Sequence, residues 1–216
     1  MDRRVVITGV GLVTPLAVGV KETWDALCAG KSGIGEITKF NASAYATQIA
    51  GEVKDFNAAD FLPAKEAKRT QPFIAFAVAA ARMALEDSKL TVDSANASRT
   101  GVILGCGLGG LDMLESTCHT IATRGPGRVS PFFIPYMIGN MAAGMVSIYL
   151  GAKGPNSSIA TACAAGTHAI GEAYRQVKHG MADAMITGGV ESTITPSCIA
   201  GFNAMKALTK RNDEPR

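Results

Sequence analysis

The residue in this chain best placed to do chemistry is a cysteine. Cys163 lies in the run Gly154-Pro155-Asn156-Ser157-Ser158-Ile159-Ala160-Thr161-Ala162-Cys163-Ala164-Ala165-Gly166-Thr167-His168. Ser157 to Ala162 reads as a short strand, and Ala164 onward as a helix that runs through Ala173, Tyr174 and Val177 to a stop at His179-Gly180. A thiol in the first turn of a helix feels the positive end of the helix dipole, which favours thiolate. Alanines and a glycine around it leave room for a substrate to reach the sulfur, the arrangement of a nucleophile elbow that carries cysteine. A cysteine among alanines is most often a small buried hydrophobe, and Cys28, Cys106, Cys118 and Cys198 are read that way. Cys163 differs by its strand-to-helix junction, where open α/β sheets place their chemistry. On geometry alone the nucleophile and core readings both stay open.

The histidines add no second catalytic group. His168 is five residues past Cys163, and at ~3.6 residues per turn that is about 140° round the helix, so it reads as a helix-face or core side chain. His179 falls in the last turn, where a partly cationic imidazole complements the dipole. His119 follows Thr117-Cys118 ahead of a Gly-Pro-Gly loop. With no CxxC and no paired histidines at helical spacing, no metal site is expected.

A different chemistry is suggested by the glycines. Gly105, Gly107 and Gly110 satisfy G-x-G-x-x-G between an expected strand and a helix, the pattern of a dinucleotide-binding turn. That turn needs an acidic residue about 20 positions on, where this chain has Thr123-Arg124-Gly125-Pro126-Gly127-Arg128. Gly9 and Gly11 lack the third glycine, since Thr14 stands in its place.

The elements that must position these groups follow in the order strand, helix, helix, strand, helix, helix, strand, helix, strand. Val5 to Gly9 is the first expected strand and Lys21 to Ala29 a short helix stopped by Gly30. Lys65 to Lys89 holds a helix whose middle, Phe73 to Leu85, is apolar nearly all round and therefore buried on more than one side. Thr100 to Leu104, Ser157 to Ala162 and Ala184 to Thr187 supply the later strands. Apolar strands alternating with helices imply an α/β fold with a mainly parallel sheet covered on both faces.

Composition excludes several classes. The 216 residues suggest one to two domains, and 47% hydrophobic content with 24 glycines fits a tightly turned α/β core. Five cysteines without framework spacing argue for a reducing, cytoplasmic setting without disulfides. A net charge of +3 without basic-aromatic interleaving gives no reason to expect nucleic acid. Arg3-Arg4 followed by apolar Val5 to Val20 has a signal-peptide outline, but Gly9, Gly11, Pro15 and Gly19 interrupt it, and a buried strand plus turn is favoured. The uncharged run Val129 to Ala152 contains Pro131, Pro135 and Asn140 and reads as a loop followed by a buried helix rather than a membrane span.

The run Ile159-Ala160-Thr161-Ala162-Cys163, with Gly166 and His168 after it, resembles the nucleophile segment of the β-ketoacyl-acyl carrier protein synthases. Within that family the resemblance is nearest to the synthase II branch of bacterial fatty acid synthesis. Further matches follow in family order at Arg4-Val5-Val6-Ile7-Thr8-Gly9-Val10-Gly11, Ser130-Pro131-Phe132-Phe133-Ile134-Pro135, Ala184 to Glu191 and Phe202 to Thr209. The resemblance implies a thiolase-like layered αβαβα fold. It also implies that residues 1–216 are the N-terminal half-domain of a longer enzyme, with the sheet incomplete and the family's two catalytic histidines beyond them. These residues alone are then expected to be inactive.

By position, Cys163 corresponds to the catalytic nucleophile. Leu108, Ala162, Cys198 and Phe202 correspond to the acyl channel of one subunit of a homodimer, with Phe133 and Ile134 reaching in from the other. Lys65, Lys68, Arg69, Arg124, Arg128 and Lys206 correspond to the docking surface for acyl- and malonyl-loaded acyl carrier protein. The resemblance implies decarboxylative condensation through an acyl-Cys163 intermediate, with no metal or organic cofactor. The other readings are a non-catalytic or polyketide-type ketosynthase relative, a thiolase, and the dinucleotide-binding protein suggested by the glycines. The chain-length partner subunits of polyketide synthases lack the active cysteine, which this chain has.

Overall fold

The computed structural model describes residues 3–215. In chain order the elements are α1 (Val20–Cys28), β1 (Gly35–Glu36), β2 (Ile49–Ala50), α2 (Ala64–Ala67), α3 (Pro72–Ser88), β3 (Thr100–Gly105) and α4 (Leu111–Arg124). They continue with α5 (Phe133–Met137), α6 (Met141–Leu150), β4 (Asn156–Ile159), α7 (Ala165–Lys178), β5 (Ala184–Gly189) and α8 (Pro196–Ala204). The chain divides into two units, residues 1–11 with 58–192 and residues 12–57 with 193–216.

The larger unit is built on a parallel sheet of order β4-β3-β5. Val102 of β3 is in register with Asn156 on one side and Ile186 on the other. Every residue of β3 is buried, as a central parallel strand must be when both faces are covered. Helix α7 packs on β3 and β5 through Ala165, Ala169 and Ala173, a stripe at four-residue spacing. Helix α6 packs on β3 and β4 through Ala142, Ala143 and Val146, and α3 packs on α6. Phe73, Ile74, Ala75, Ala77, Val78, Ala79 and Ala81 of α3 are all buried, so the first half of that helix is enclosed around most of its circumference.

The sheet ends where its glycines let a helix come close. A Cβ on Gly105, the last residue of β3, would lie 2.2 Å from the carbonyl carbon of Ala165 and 2.4 Å from the nitrogen of Gly166. Between Gly166 and Gly189, the last residue of β5, added Cβ atoms would meet the opposite Cα at 3.0 and 2.9 Å. Three glycines thus seat the first turn of α7 directly on the ends of two adjacent strands. At the other end of β5, Asp183 accepts hydrogen bonds from Arg3 and Arg99, each at 2.9 Å. Hydrogen bonding to Arg99 first, and then to Arg3, holds its carboxyl well below the usual carboxylate range.

The smaller unit pairs β1 with β2 antiparallel and has a core of Ile37, Ala42 and Ile199, flanked by Phe40, Tyr45, Ala50, Ile194 and Leu208. Its buried carboxylate, Glu52, accepts from the Thr38 hydroxyl at 2.6 Å and from the amides of Thr38 and Lys39 at 3.0 and 3.2 Å. Burial pushes this carboxyl upward, but the hydrogen bonds and the Lys39 charge outweigh it and lower it.

The structure corrects several expectations from sequence. Residues 5–9 form no ladder strand, and Val6 and Ile7 are 60% and 83% exposed. This segment lies on helix α3 instead: a Cβ on Gly9 would meet the Ala84 carbonyl and one on Gly11 the Ala80 carbonyl, and the Val10 amide donates to Asp87. The single helix expected over Lys65 to Lys89 is broken, because Pro72 forces Gln71 into extended backbone with ψ 150° between α2 and α3. Cys28 and Cys118 are exposed rather than buried, since α1 buries Thr23 and Ala26 and α4 buries only Thr117. Among the described residues no helix is long and apolar enough to cross a membrane.

The close approach at the sheet ends predicts opposite effects from one chemical change. Gly105→Ala drives a methyl into α7 backbone and is expected to destabilise the fold by about 1–3 kcal/mol. Gly171→Ala, in the same helix with nothing within 4 Å of the added carbon, is expected to stabilise it by about 0.5–1 kcal/mol. Denaturant unfolding of both variants checks the pair, and equal effects would remove the packing argument.

Candidate active site

Cys163 lies in a single 3₁₀ turn, Ala162–Ala164, that leads from β4 into α7. Its side chain is exposed, and only Ala164 separates it from the fourteen-residue helix α7. Ala162, just before it, has φ +50°, a left-handed conformation that costs an alanine about 1–3 kcal/mol. The turn is thus sharp and strained at the residue before the thiol. His168 is exposed, and its Nδ1 lies 2.8 Å from the hydroxyl of Thr161, so it is a helix-face side chain bracing the turn.

The glycine-rich segment after β3 approaches the same turn. A Cβ on Gly107 would lie 3.7 Å from the Cα and carbonyl oxygen of Ala162. The loop is held by Glu191, two residues past β5. The carboxylate of Glu191 accepts from the amides of Gly107 at 3.1 Å, Leu108 at 2.8 Å and Gly109 at 3.2 Å. These are the amides a dinucleotide pyrophosphate would use, and a carboxylate of the same chain already occupies them. The dinucleotide reading therefore loses its anion site. On its other side the loop is tied to the end of α5, where the Gly110 amide donates to the Met137 carbonyl at 2.9 Å. Gly109 has φ +81°, and a Cβ there would lie 2.9 Å from that same oxygen.

Cys106, at the base of this loop, shows what a non-reactive thiol looks like here. It is 3% exposed, and burial, helped by the Glu191 charge, pushes its thiol up to about 12. It stays protonated at neutral pH. Cys198, in the smaller unit, is buried on α8, where its amide donates to the hydroxyl of the helix-capping Thr195. Both follow the default expected of a core cysteine.

The remaining residues singled out from sequence fall as follows. In the larger unit Leu108 and Ile134 are 52% and 54% exposed, Ala162 is exposed and Phe133 half-buried. In the smaller unit Phe202 is exposed on α8 and Lys206 exposed just beyond it. Lys65 and Lys68 are exposed at α2, Arg124 at the last turn of α4, and Arg128 after it. Arg69 is more engaged: its Nε donates to Glu66 at 2.9 Å and its guanidinium lies over the Phe132 ring, 4.6 Å from the centroid. Among the described residues no cluster of His, Cys, Asp and Glu is arranged to hold a metal ion. Glu191 escaped the sequence reading, because its only signal was one acid following a Gly-Gly-Val end of a strand.

Comparison with known proteins converges on one family. The family model described as β-ketoacyl synthase, N-terminal domain, matches residues 2–216. The 3-oxoacyl-[acyl-carrier-protein] synthase 2 of Synechocystis is 51% identical over 99% of this chain, and that of Coxiella burnetii 53%. The chain spans about half the length of these relatives, 51% of each. Among solved structures, a β-ketoacyl synthase from Burkholderia phymatum superposes with a TM-score of 0.87 at 30% identity, covering all of this chain and 53% of that one. A ketosynthase bound to its type II polyketide acyl-carrier protein gives 0.83 at 29% identity over 98% of this chain and 51% of that one. A sheet with α7 seated on its glycine ends, an exposed cysteine at that helix start and these matches agree: the chain belongs to the β-ketoacyl synthase family and has its thiolase-like fold.

Proposed function

We propose that these residues are the N-terminal half of a 3-oxoacyl-[acyl-carrier-protein] synthase of type 2, a cytoplasmic, homodimeric acyltransferase of fatty acid elongation with Cys163 as its nucleophile. The observation that carries this reading is the exposed thiol of Cys163 at the start of α7, in a chain about half identical to synthases of that name. A polyketide ketosynthase is the second reading, favoured by the solved ketosynthase complex; its 29% identity is well below the 51% and 53% of the fatty acid synthases.

The proposed chemistry has two stages. Cys163 thiolate attacks the thioester carbonyl of an acyl-carrier protein, and the developing oxyanion is held by backbone N–H groups, that of Cys163 among them. The carbon–sulfur bond to the carrier breaks, and the carrier leaves as its thiol after taking a proton. Malonyl-carrier protein then loses carbon dioxide, and the carbanion so formed attacks the acyl-Cys163 carbonyl, releasing the cysteine and a chain two carbons longer. Neither stage calls for a metal or organic cofactor; the phosphopantetheine arm belongs to the carrier. The family resemblance assigns the enolate-stabilising histidines to the other half of the enzyme.

The family resemblance assigns Leu108, Ala162, Cys198 and Phe202 to the proposed acyl channel, with Phe133 and Ile134 supplied by the second subunit. Exposed apolar side chains at Leu108 and Ile134 are consistent with surfaces that an acyl chain or a second subunit covers. The subunits are proposed to pair through β4, one of the two edge strands of the described three-stranded sheet. Lys65, Lys68, Arg124, Arg128 and Lys206 are the proposed contacts for the acidic carrier, and Arg69, anchored on Glu66 and Phe132, is proposed to contribute as a fixed charge.

Two measurements test this reading. With limiting iodoacetamide, Cys163 is expected to label before the other exposed thiols, Cys28 and Cys118, because only it faces a helix start; first labelling of either of those removes the assignment. In the complete enzyme, Lys68→Glu or Arg128→Glu is expected to lower kcat/KM for acyl-carrier protein roughly tenfold at low salt, with little change for a small acyl thioester. An equal loss on both substrates, or none, rules out this docking surface.

A further inference from the structure

The role of Glu191 is explained neither by the nucleophile nor by the proposed channel residues. Its carboxylate receives the amides of Gly107, Leu108 and Gly109 at 3.1, 2.8 and 3.2 Å, and that of its neighbour Ser192 at 3.3 Å. Three successive amides converging on one ionised group form an anion nest, and such charge-assisted bonds are roughly twice as strong as neutral ones. Here the anion is covalently attached to the end of β5, so the loop is fixed to the sheet.

That attachment determines where Leu108 stands. Gly107 lies beside Ala162, the strained residue before Cys163, close enough that an added Cβ would be in van der Waals contact with it. Gly110 is bonded to Met137 at the end of α5, the helix that carries Phe133 and Ile134. Leu108 therefore lies on a bridge between the nucleophile turn and α5, and the three amides at its centre are held by one side chain. Without the carboxylate the three amides would turn to water and the loop would lose its connection to β5.

We infer that Glu191 is a positioning residue that fixes the Gly107–Gly109 loop and, through Leu108, sets which acyl chains reach Cys163. This rests on the proposed function for its consequence but not for its structural half. The bonds described for Glu191 go to the loop amides and to Ser192, so its expected effect is on selectivity and on KM more than on the chemical step.

The test compares Glu191→Ala and Glu191→Gln in the complete enzyme, using two readouts. Amide hydrogen exchange at Gly107–Gly109 is expected to quicken about tenfold or more in Glu191→Ala, with Val102 to Leu104 of β3 unchanged. Glu191→Gln, which keeps one acceptor oxygen, is expected to fall between that variant and the parent. Acylation of Cys163 from long and short acyl donors is the second readout. Glu191→Ala is expected to change the ratio of kcat/KM between them by about threefold or more, mainly through KM. Unchanged exchange in the loop, or quickening that extends equally into β3, overturns the positioning role. An unchanged donor ratio with a loosened loop overturns the selectivity half. A parent enzyme that acylates no cysteine overturns the function reading and the selectivity half with it, while the exchange result still decides what holds the loop.

Discussion

The site depends on how closely a helix can approach the ends of two strands. Gly105, Gly166 and Gly189 remove every side-chain atom from that contact, leaving backbone against backbone. The C-terminal ends of β3 and β5 and the first turn of α7, which Cys163 closely precedes, are brought together at one end of the parallel sheet. A helix held further away by even one methyl group would move the thiol away from the loop that faces it. The alanine stripe of α7 extends the same logic along the helix, because small buried residues allow it to lie flat on β3 and β5.

The second constraint is electrostatic and belongs to the glycine loop. A loop of three amides pointing one way is unstable without an anion, and Glu191 supplies it from within the chain. The same charge helps hold Cys106 as a thiol. One carboxylate therefore shapes the loop and adds to the burial that keeps the neighbouring cysteine protonated, while Cys163 stands exposed at the helix start. This division between two cysteines follows from burial and local charge.

The parallel sheet, the buried helix α3 and the strand-to-helix setting of Cys163 were legible in the sequence, because periodicity and small-residue runs record them directly. The glycine motif at 105–110 was legible as a tight turn, but not what fills it, since Glu191 is more than eighty residues away and carries no periodic signal. Residues 5–9 have strand composition yet form no strand; Gly9 lies against α3 and the next residue, Val10, donates its amide to Asp87, a tertiary choice that composition does not encode. The exposure of Cys28 and Cys118 follows from which face of each helix finds a neighbour. The family resemblance supplied the proposed docking residues, but it did not foresee Arg69 bound to Glu66 and stacked on Phe132.

The central claim is that Cys163 carries the acyl group. Incubating the complete enzyme with acyl-carrier protein in the absence of malonyl-carrier protein, then mapping peptides by mass, tests it most directly. The account predicts one acyl chain per subunit, as a thioester on Cys163 that is removed by hydroxylamine and absent from Cys163→Ser. An acyl group on Cys28, Cys106, Cys118 or Cys198, or none on any cysteine, would contradict it.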